Sequence, residues 1–515
     1  MSPSTRTISL LTLACVGCLT LAKDAFAADA PPTPAQVFTL VPGIRHQTMD
    51  NFGANDAWSL QKIGAWSETN KQRLAELLFS TNTGIGLSCW RFNVGAGINH
   101  TTIDNDWRTV ETFETAAGQY DWTRQANERW FLRAAKAYGI KQFAATVYSP
   151  PLRLTRNGLS NLGADKVSTT NLKPGAEDAF ATYLTDILGH FRTNADPAER
   201  IDFNYVLPVN EPQWDWSARQ EGNRAANADF KRICIALKHR LTATGLPTTI
   251  LGPESGSIPD MYQLDAEARQ KWHADYGNYL HTICDDPALA ACFNGILTYH
   301  SYWSDAIPNK LVPDRQQLGR AFAAHPHWRL WQSEYCIMEY GRDLTMHSAL
   351  RVARIIHCDL ALVGASAWQW WEAVANEDFK SGLIYTDYQQ PGDPENILDS
   401  KILWVLGNYS RFIRPGMQRI ELRGGRQLDL NGTLASAYLN PQNGQFVIVF
   451  VNEAKHPAPI RLALAGDRRL PLASRHFTAY ITSETKSLAA DPVADIASGY
   501  ELPPRSVVTL VSNPE

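Results

Sequence analysis

The chain has 515 residues, a length sufficient for one large and one smaller domain. Of these residues 44% are hydrophobic and 19% are charged, which is typical of a soluble globular protein. The formal net charge of −4 argues against a nucleic-acid-binding protein, which would carry a basic surface. The sequence has no His-Glu-x-x-His motif, no phosphate-binding loop and no cluster with zinc-ligand spacing, so neither a cofactor nor a metal ion is expected. Its 16 tryptophans can pack in a core or stack on sugars.

Residues 1–27 have the pattern of a secretory signal peptide. Arg6 precedes an apolar stretch at residues 8–22, and an Ala-Phe-Ala sequence ending at Ala27 matches a small-x-small cleavage site. The apolar stretch is too short for a comfortable membrane span, so no membrane-spanning segment is expected. The sequence therefore predicts a secreted or periplasmic protein that is cleaved near Ala27.

Export permits disulfide bonds among the six cysteines that follow the signal peptide. Cys284 and Cys292 bracket a short segment and are the best candidates for a bridge. The remaining four lie in apolar runs and are expected to be buried thiols: Cys89, Cys234, Cys336 and Cys358.

From residue 47 the chain alternates short apolar runs with longer amphipathic ones. Strands are predicted at residues 47–53, 86–95, 141–149, 201–210, 248–254, 295–302, 328–335 and 365–372. Helical periodicity appears between them, at residues 69–80, 122–138, 175–193, 227–244, 313–324 and 350–363. Strands and helices that alternate in this way predict an α/β fold, a (β/α)8 TIM barrel, which we assign to residues 47–413.

After residue 413 the pattern changes to short β-rich segments separated by Gly-Gly and Asn-Gly turns. These segments predict an antiparallel β-sandwich over residues 414–515, with strands at residues 417–423, 427–430, 434–439, 445–451, 457–463, 475–481 and 506–511. Residues 28–46 are assigned to a linker and to an N-terminal strand, 37–46, that joins the sandwich.

Two glutamates stand where predicted barrel strands end. Glu211 follows the fourth strand in the sequence Asn-Glu-Pro, and Glu334 ends the seventh in the sequence Gln-Ser-Glu-Tyr. Because the carboxyl ends of all barrel strands meet on one face, we expect the two side chains to lie close together. Two carboxyl groups that face each other are what the cleavage of a glycosidic bond requires.

The ordered set of motifs at these strand ends resembles glycoside hydrolase family 30, and within it the endo-β-1,6-galactanase-like branch. The motifs are NFGANDAWS (51–59), WRFNVGAG (90–97), SPP (149–151), NEPQW (210–214), HSYW (300–303), QSEY (332–335) and WQWW (368–371). The resemblance covers the whole chain after the signal peptide. It implies a retaining β-glycosidase with a side β-domain built from both termini.

The resemblance also implies roles for individual residues. Glu211 would act as general acid and then as base, which requires a raised pKa, while Glu334 would stay ionised and be the nucleophile that forms a covalent glycosyl-enzyme. Arg91 would keep Glu334 charged, although it could equally form a structural salt bridge. Tyr302 would donate a hydrogen bond to Glu334, or only form an amphipathic wall. Asn210 would bind the sugar 2-hydroxyl, or only form a turn before proline.

Six further residues are predicted to bind sugar: Asp56, Trp58, Trp214, His300, Trp303 and Trp371. Trp371 would stack on the sugar that is cleaved, whereas Trp368 on the same strand is expected in the core. His300 could instead be a structural residue, and Asp56 and Trp58 could belong to loop structure. Many relatives carry an aromatic residue after the Ser-Pro-Pro element, where this chain has Leu152-Arg153, which leaves one subsite wall and the linkage open.

The sequence thus predicts an exported retaining glycoside hydrolase, an endo-β-1,6-galactanase, that acts on an oligo- or polysaccharide and is expected to be a monomer. An exo-acting β-glycosidase or a β-1,6-glucanase on the same scaffold is the alternative enzyme. A carbohydrate-binding barrel without turnover is the alternative from another class. An open groove lined by Trp214, Trp216 and Trp303 would favour endo action, and a blind pocket would favour exo action.

Overall fold

The computed structural model describes residues 34–164, 169–425, 428–466, 476–493 and 495–512. The predicted signal peptide lies outside the described residues. Within those ranges, no helix combines the length and the apolar character needed to cross a membrane.

Strands in the described residues form an eleven-stranded sheet, a nine-stranded sheet and a two-stranded ribbon. In chain order they are β1 (Gln36–Thr48), β2 (Asn51–Asn55), β3 (Cys89–Asn93), β4 (Glu114–Ala116), β5 (Gln119–Tyr120), β6 (Gln142–Thr146), β7 (Tyr205–Leu207), β8 (Thr249–Ile250), β9 (Pro253–Ser255), β10 (Ile296–His300), β11 (Arg329–Glu334), β12 (Ala367–Ala375), β13 (Gly382–Tyr385), β14 (Leu398–Asp399), β15 (Gln418–Gly424), β16 (Thr433–Leu439), β17 (Phe446–Asn452), β18 (Ala458–Leu464), β19 (Phe477–Thr482), β20 (Ala489–Val493), β21 (Tyr500–Leu502) and β22 (Ser506–Ser512).

Helices connect the strands of the larger sheet. They are α1 (Leu60–Ile63), α2 (Glu68–Phe79), α3 (Ala126–Ala137), α4 (Glu177–Thr193), α5 (Asn227–Thr244), α6 (Ala266–Trp272), α7 (Tyr279–Cys284), α8 (Pro287–Ala290), α9 (Leu311–Phe322), α10 (Met346–Cys358) and α11 (Lys401–Ser410). A π-helical turn, Asp359–Val363, continues α10 directly. The alternation of strand and helix follows the predicted order, because the 3.6-residue periodicity of these segments buries one helix face against the sheet.

The parallel strands close into a barrel. Their order is β8-β7-β6-β3-β2-β12-β11-β10-β9, so β8 and β9 stand at the two ends of the path. Only Leu251 and Gly252 separate them, and both join the ladder: Leu251 N–H donates to the carbonyl of Val206 (2.9 Å), and the carbonyl of Gly252 accepts from Thr298 N–H (2.9 Å). Residues 249–255 therefore act as one strand that closes the ring, which confirms the predicted (β/α)8 barrel.

A layer of side chains fills the barrel interior near the N-terminal ends of the strands. One residue from each of six strands or strand ends forms this cluster: Ala144, Leu207, Leu251, Ile296, Trp331 and Ala367. The indole N–H of Trp331 donates to Asp50 (2.7 Å), which precedes β2 and so marks the N-terminal end of the barrel. Because this end is packed and apolar, the polar side chains at the opposite strand ends are left to form a site.

The nine-stranded sheet runs β20-β19-β22-β17-β16-β15-β1-β18-β21, and its pairings are antiparallel except for β1 with β18. It has a hydrophobic core of its own, in which Phe38 of β1 packs edge-on against Phe450 of β17 at 5.2 Å. β1 pairs with β15 and β18, so the predicted N-terminal strand of the sandwich is confirmed.

Two predictions about the C-terminal half of the chain need correction. The predicted strand at 427–430 is not formed by residues 428–430, which lie in turns before β16, and residue 427 lies outside the described residues. The bridge predicted between Cys284 and Cys292 is also wrong, since both are free thiols. The reason lies in α8: the Cys292 thiol turns back to donate to the carbonyl of Ala288 (3.5 Å).

Candidate active site

The predicted pair of glutamates meets at the C-terminal end of the barrel. Glu334 is the last residue of β11, and Glu211 follows β7 after a short turn. One carboxylate oxygen of each and a ring nitrogen of His300 all lie within 4.8 Å of one another. The side chains are withdrawn from solvent, with Glu211 7% and Glu334 3% exposed. Residues more than a hundred positions apart in sequence thus form one cluster of acids.

The backbone at Glu211 is held in an uncommon conformation. Its φ of 42° lies in the left-handed region, which costs a non-glycine residue on the order of 1–3 kcal/mol. Two hydrogen bonds hold it there: its N–H donates to the carbonyl of Glu254 (2.9 Å), and its carbonyl accepts from the indole N–H of Trp216 (2.9 Å). The position of the Glu211 side chain is therefore fixed by the neighbouring strand end and by the loop that follows.

Glu334 has two unlike oxygens. Tyr302 donates its hydroxyl proton to Oε1 at 3.0 Å. Oε2 accepts no hydrogen bond and faces Nη2 of Arg91 at 3.6 Å. The Arg91 guanidinium is anchored from below by its hydrogen bond to the carbonyl of Ser333. One carboxylate oxygen is therefore oriented by a neutral donor, while the other stays free beside a cation.

A third buried glutamate, Glu254, was not predicted from the sequence. It is fully buried, lies 2.7 Å from Nη2 of Arg91 and accepts from Nε2 of His300 at 3.2 Å. Burial alone would raise the pKa of this carboxyl, but the charges and hydrogen bonds of Arg91 and His300 outweigh it and lower the pKa to about 2. The signal was present, because Glu254 lies at the end of the fifth barrel strand and the rule that selected Glu211 and Glu334 applies to it equally.

His300 is a cation within this cluster. Burial would lower its pKa, but the charge of Glu334 and the hydrogen bonds to Glu211 and Glu254 raise the pKa to about 10. Both ring nitrogens of the protonated imidazole are donors: Nδ1 donates to Glu211 at 2.9 Å and Nε2 to Glu254. A doubly protonated ring has no lone pair to offer, so the group of Glu211, His300 and Glu334 does not suit a metal ion even though its spacing would allow one.

Burial acts strongly on Glu334. It raises the pKa of this carboxyl to about 7, with the charges of Glu211 and Glu254 adding to the rise and with His300 and Arg91 opposing it. Glu334 is therefore close to taking up a proton at neutral pH, whereas the family resemblance implies a Glu334 that stays ionised. The cause of this difference is its burial.

The pair lies at the floor of a cavity of about 400 Å³. Asn210, Tyr302 and Trp371 line it next to the acids, and three indole rings line the side beyond Glu211: Trp214, Trp216 and Trp303. The amide oxygen of Asn210 has no hydrogen-bond partner and is available to a ligand. Trp214 and Trp303 pack edge to face at 4.9 Å, and Trp303 is 44% exposed. The structure therefore brings polar groups and aromatic faces together around two carboxyls, the arrangement that sugar recognition uses.

Comparison with known proteins agrees with this arrangement. The model of the O-glycosyl hydrolase family 30 matches residues 36–385. The chain belongs to glycoside hydrolase family 30. It is therefore a glycosidase, and the carbohydrate-binding barrel without turnover is the weaker interpretation.

Three proteins illustrate what the glycosidase is similar to. An endo-β-1,6-galactanase from Hypocrea rufa is 24% identical over 412 residues, which are 74% of this chain and 75% of that protein. The crystal structure of a conserved exported protein from Bacteroides fragilis is 30% identical, with a TM-score of 0.82, and the match covers 92% of this chain and 100% of that one. The catalytic domain of the family 30 xylanase C from Talaromyces cellulolyticus shares the fold at 20% identity, with a TM-score of 0.67 and coverage of 93% and 100%.

An aromatic cluster forms the wall of the glycosidase cavity that the sequence left open. Tyr148 lines the cavity and packs against Trp58 at 5.0 Å and Trp371 at 5.7 Å between ring centroids. Arg153, which follows the Ser-Pro-Pro element, instead forms an ion pair with Glu114 at 2.8 Å. Tyr148, which directly precedes the Ser-Pro-Pro element, thus provides an aromatic ring to this wall, and Trp58 packs against it.

A bulge in β12 explains how Trp371 reaches the cavity of the glycosidase. Trp368 and Trp370 are fully buried, Trp368 as expected. The register of β12 against β2 shifts between Trp370 and Glu372, so the residue between them leaves the regular alternation. Trp371 lines the cavity, whereas its neighbour Trp370 is buried in the core.

Asp56 lies behind the glycosidase site and does not line the cavity. It is buried, and its Oδ1 accepts from the backbone N–H of Asn93 at 2.8 Å. Burial, followed by the charge of Glu128, raises its pKa well above the usual value. These contacts give Asp56 a part in holding the end of β3, and its predicted contact with sugar stays a prediction.

Proposed function

We propose that this family 30 glycosidase is an exported retaining enzyme that hydrolyses β-1,6-linked galactan at internal bonds. The observation that carries the retaining mechanism is the approach of Glu211 and Glu334 to within 4.8 Å. Retaining glycosidases hold their carboxyls about 5–5.5 Å apart, whereas inverting ones need about 6.5–9.5 Å to admit a water molecule. The galactan specificity is supported by the similarity to the endo-β-1,6-galactanase relative.

In the first step Glu334 attacks the anomeric carbon. A carboxylate oxygen forms the new C–O bond with its electron pair while the bond from the anomeric carbon to the leaving oxygen breaks, and Glu211 gives its proton to that oxygen. In the second step Glu211 takes a proton from water, the water oxygen displaces Glu334 from the anomeric carbon, and the carboxylate is restored. The products are a sugar chain with a new reducing end and a free alcohol.

The remaining groups stabilise this charge movement. Tyr302 donates to the oxygen of Glu334 that is not needed for attack and so orients the carboxylate. Arg91 and His300 lie 3.6 Å from the two oxygens of Glu334 and stabilise its negative charge. The unpartnered amide oxygen of Asn210 accepts from a hydroxyl of the sugar being cleaved.

An open surface beyond the cavity supports endo action. Tyr340 follows β11, is 84% exposed and packs edge to face against Phe379 at 5.3 Å. Met338, two residues earlier, lines the cavity, so the two aromatic residues lie at its margin. An exposed aromatic face outside the cavity suits a chain that extends past the cleaved bond, which an exo-acting enzyme would not need.

We expect Tyr340→Ala to reduce kcat/KM on polymeric β-1,6-galactan roughly 2- to 10-fold, the contribution of one stacking contact. A nitrophenyl galactoside does not reach Tyr340, so its hydrolysis should be unchanged. Tyr340→Phe keeps the ring and should restore the rate on polymer. Tyr138→Ala removes an exposed tyrosine that caps α3 and is the matched control. Equal losses on both substrates would contradict the subsite.

The raised pKa of Glu334 predicts the acid limb of the pH profile. Because burial raises the pKa of Glu334 to about 7, this carboxyl takes up a proton as the pH falls below that value and loses the electron pair needed for attack. kcat/KM should therefore fall as the pH drops below 7. A dinitrophenyl galactoside needs the same ionised nucleophile, so its rate should fall over the same range as that of a galactoside with a poor leaving group. A rate on the dinitrophenyl substrate that stays constant well below pH 7 would contradict the raised pKa of the nucleophile.

Product analysis tests the proposal as a whole. The enzyme is incubated with β-1,6-galactan, β-1,6-glucan, glucuronoxylan and aryl galactosides, and the products are followed with time. Endo action on galactan should release a ladder of oligosaccharides before monosaccharide accumulates, with the β-anomer formed first. Monosaccharide as the first product would favour the exo-acting alternative, and faster turnover of β-1,6-glucan would favour the glucanase.

A further inference from the structure

A second cavity lies where the sandwich meets the barrel. It has a volume of about 330 Å³, and its walls come from β15 and β16 on one side and from α10 with its π-helical turn on the other. None of the described residues that line it also lines the catalytic cavity. The cavity is thus a separate space between the two parts of the fold.

His357 of α10 brings a buried imidazole without a partner to this cavity. The side chain is 5% exposed, and its Nδ1 is buried with no hydrogen bond. Burial, and then the charge of Arg419, lower its pKa to about 4, so the ring is neutral and offers one donor and one acceptor. Buried polar groups in native proteins are nearly always hydrogen-bonded, so an unbonded imidazole beside a cavity indicates a partner from outside the chain.

Arg419 of β15 brings a cation that forms no direct salt bridge with a described residue, although the charge of Glu421 acts on it at longer range. Its Nε donates to the side chain of Gln47 at 2.9 Å, while its terminal nitrogens form no hydrogen bond or ion pair with any described residue. Glu421 is the carboxylate among the lining residues, and it is engaged with His46 at 3.1 Å. The guanidinium therefore faces the cavity region with its terminal donors unused.

We propose that this cavity binds a small hydroxylated carboxylate of the size of one sugar, such as a hexuronate, with its carboxylate on Arg419 and its hydroxyl groups on His357 and Ser436. The guanidinium presents paired N–H donors that match a carboxylate, and a neutral imidazole can both donate to and accept from a hydroxyl. The volume lies at the lower end of the range of small-molecule sites, about 300–1,000 Å³. Water alone would hydrogen-bond to the imidazole but would leave the guanidinium without a carboxylate in hydrogen-bonding range.

The ligand would join the two parts of the fold. Arg419 and Ser436 belong to the sandwich and His357 to a barrel helix, so a ligand bound by all three is lost when the two separate. A ligand that binds only the folded protein raises its melting temperature, and the rise grows with the logarithm of the ligand concentration once that concentration exceeds the Kd. Thermal unfolding is therefore a direct measure of binding at this site, and it does not depend on catalytic activity.

The test measures melting temperatures of the mature protein with D-glucuronate, with D-glucose as the same ring without the carboxylate, and with inorganic phosphate. Glucuronate should raise the melting temperature, with a rise that follows the logarithm of its concentration, whereas glucose and phosphate should not. Arg419→Gln should abolish the shift, and Glu334→Gln, an active-site variant, should keep it. If Arg419→Gln fails to fold, Ser436→Val is used, because its methyl groups occupy the cavity and should also abolish the shift.

Several results would overturn the proposal. The absence of any shift with glucuronate would show a cavity filled by water. An equal shift with phosphate would show a general anion site, and an equal shift with glucose would show a neutral sugar site. A shift that persists in the cavity variant, or that disappears in Glu334→Gln, would place the ligand in the catalytic cavity instead.

Discussion

Glu334→Ala should lower kcat on an aryl galactoside by on the order of 10⁴-fold or more, because it removes the group whose electron pair forms the glycosyl-enzyme. The fold should survive the change. Glu334 is buried at a cost to its charge, as its raised pKa of about 7 indicates, so its removal relieves one unfavourable burial. It also leaves the hydroxyl of Tyr302 without its acceptor. Because these two effects on stability oppose each other, we expect only a modest drop in melting temperature.

Azide rescue separates the loss of a nucleophile from general damage. Azide is small enough to enter the space left by the Glu334 carboxylate and should attack the face of the sugar that Glu334 attacked. The rescued product is then the α-glycosyl azide, with inverted configuration, identified by proton NMR. Glu334→Gln, which keeps the side-chain volume, should be as inactive but should not be rescued. Wild-type rates in Glu334→Ala, or a β-glycosyl azide from it, would reject Glu334 as the nucleophile.

The barrel could be predicted from the sequence because its elements carry strong local signals. Parallel strands buried on both faces are continuous apolar runs, and the helices between them show a 3.6-residue repeat, so all eight barrel strands were located. Two short strands of the C-terminal sheet, β20 and β21, carry too few apolar residues to show a strand pattern. β20 and β21 were not predicted for this reason. The strand predicted at 427–430 was wrong, since residues 428–430 lie in turns.

The sequence predicted those site residues that follow one rule, namely that functional side chains lie where barrel strands end. That rule located Glu211 and Glu334 and should also have located Glu254. It could not show that Glu254 pairs with Arg91 and His300 beneath the other two acids, because that pairing depends on the closure of the ring between β8 and β9. The contacts of Glu254 with Arg91 and His300 therefore became visible only in three dimensions.

Two aromatic positions illustrate a different limit. The alternation of side chains along a strand predicts that Trp370 and Trp371 face opposite ways, but a bulge decides which of them meets the substrate. Tyr148 fills a wall that was expected to come from the residues after Pro151. Neither a bulge nor the exact position of a wall has a sequence signature, although the presence of the aromatic residues themselves could be predicted.

Glu211→Ala should separate substrates by their leaving groups. General acid catalysis contributes about 10²–10⁴-fold, so hydrolysis of β-1,6-galactan, whose leaving group is a sugar alcohol, should slow by about that factor. A dinitrophenyl galactoside leaves without a proton and should still form the glycosyl-enzyme at close to the wild-type rate. The second step then lacks its base, so the glycosyl-enzyme should accumulate and be detectable by mass spectrometry of the intact protein.

Two further measurements decide the role of Glu211. Azide should accelerate turnover of the dinitrophenyl substrate by Glu211→Ala and give the β-glycosyl azide, the opposite anomer to that from Glu334→Ala, because azide now replaces water in the second step. Asp215→Asn is the matched control: Asp215 lines the same cavity, but its carboxylate is bound to Arg224 and Lys271, so the ratio of the two substrates should not change. Equal losses on both substrates in Glu211→Ala would assign the proton transfer to another group.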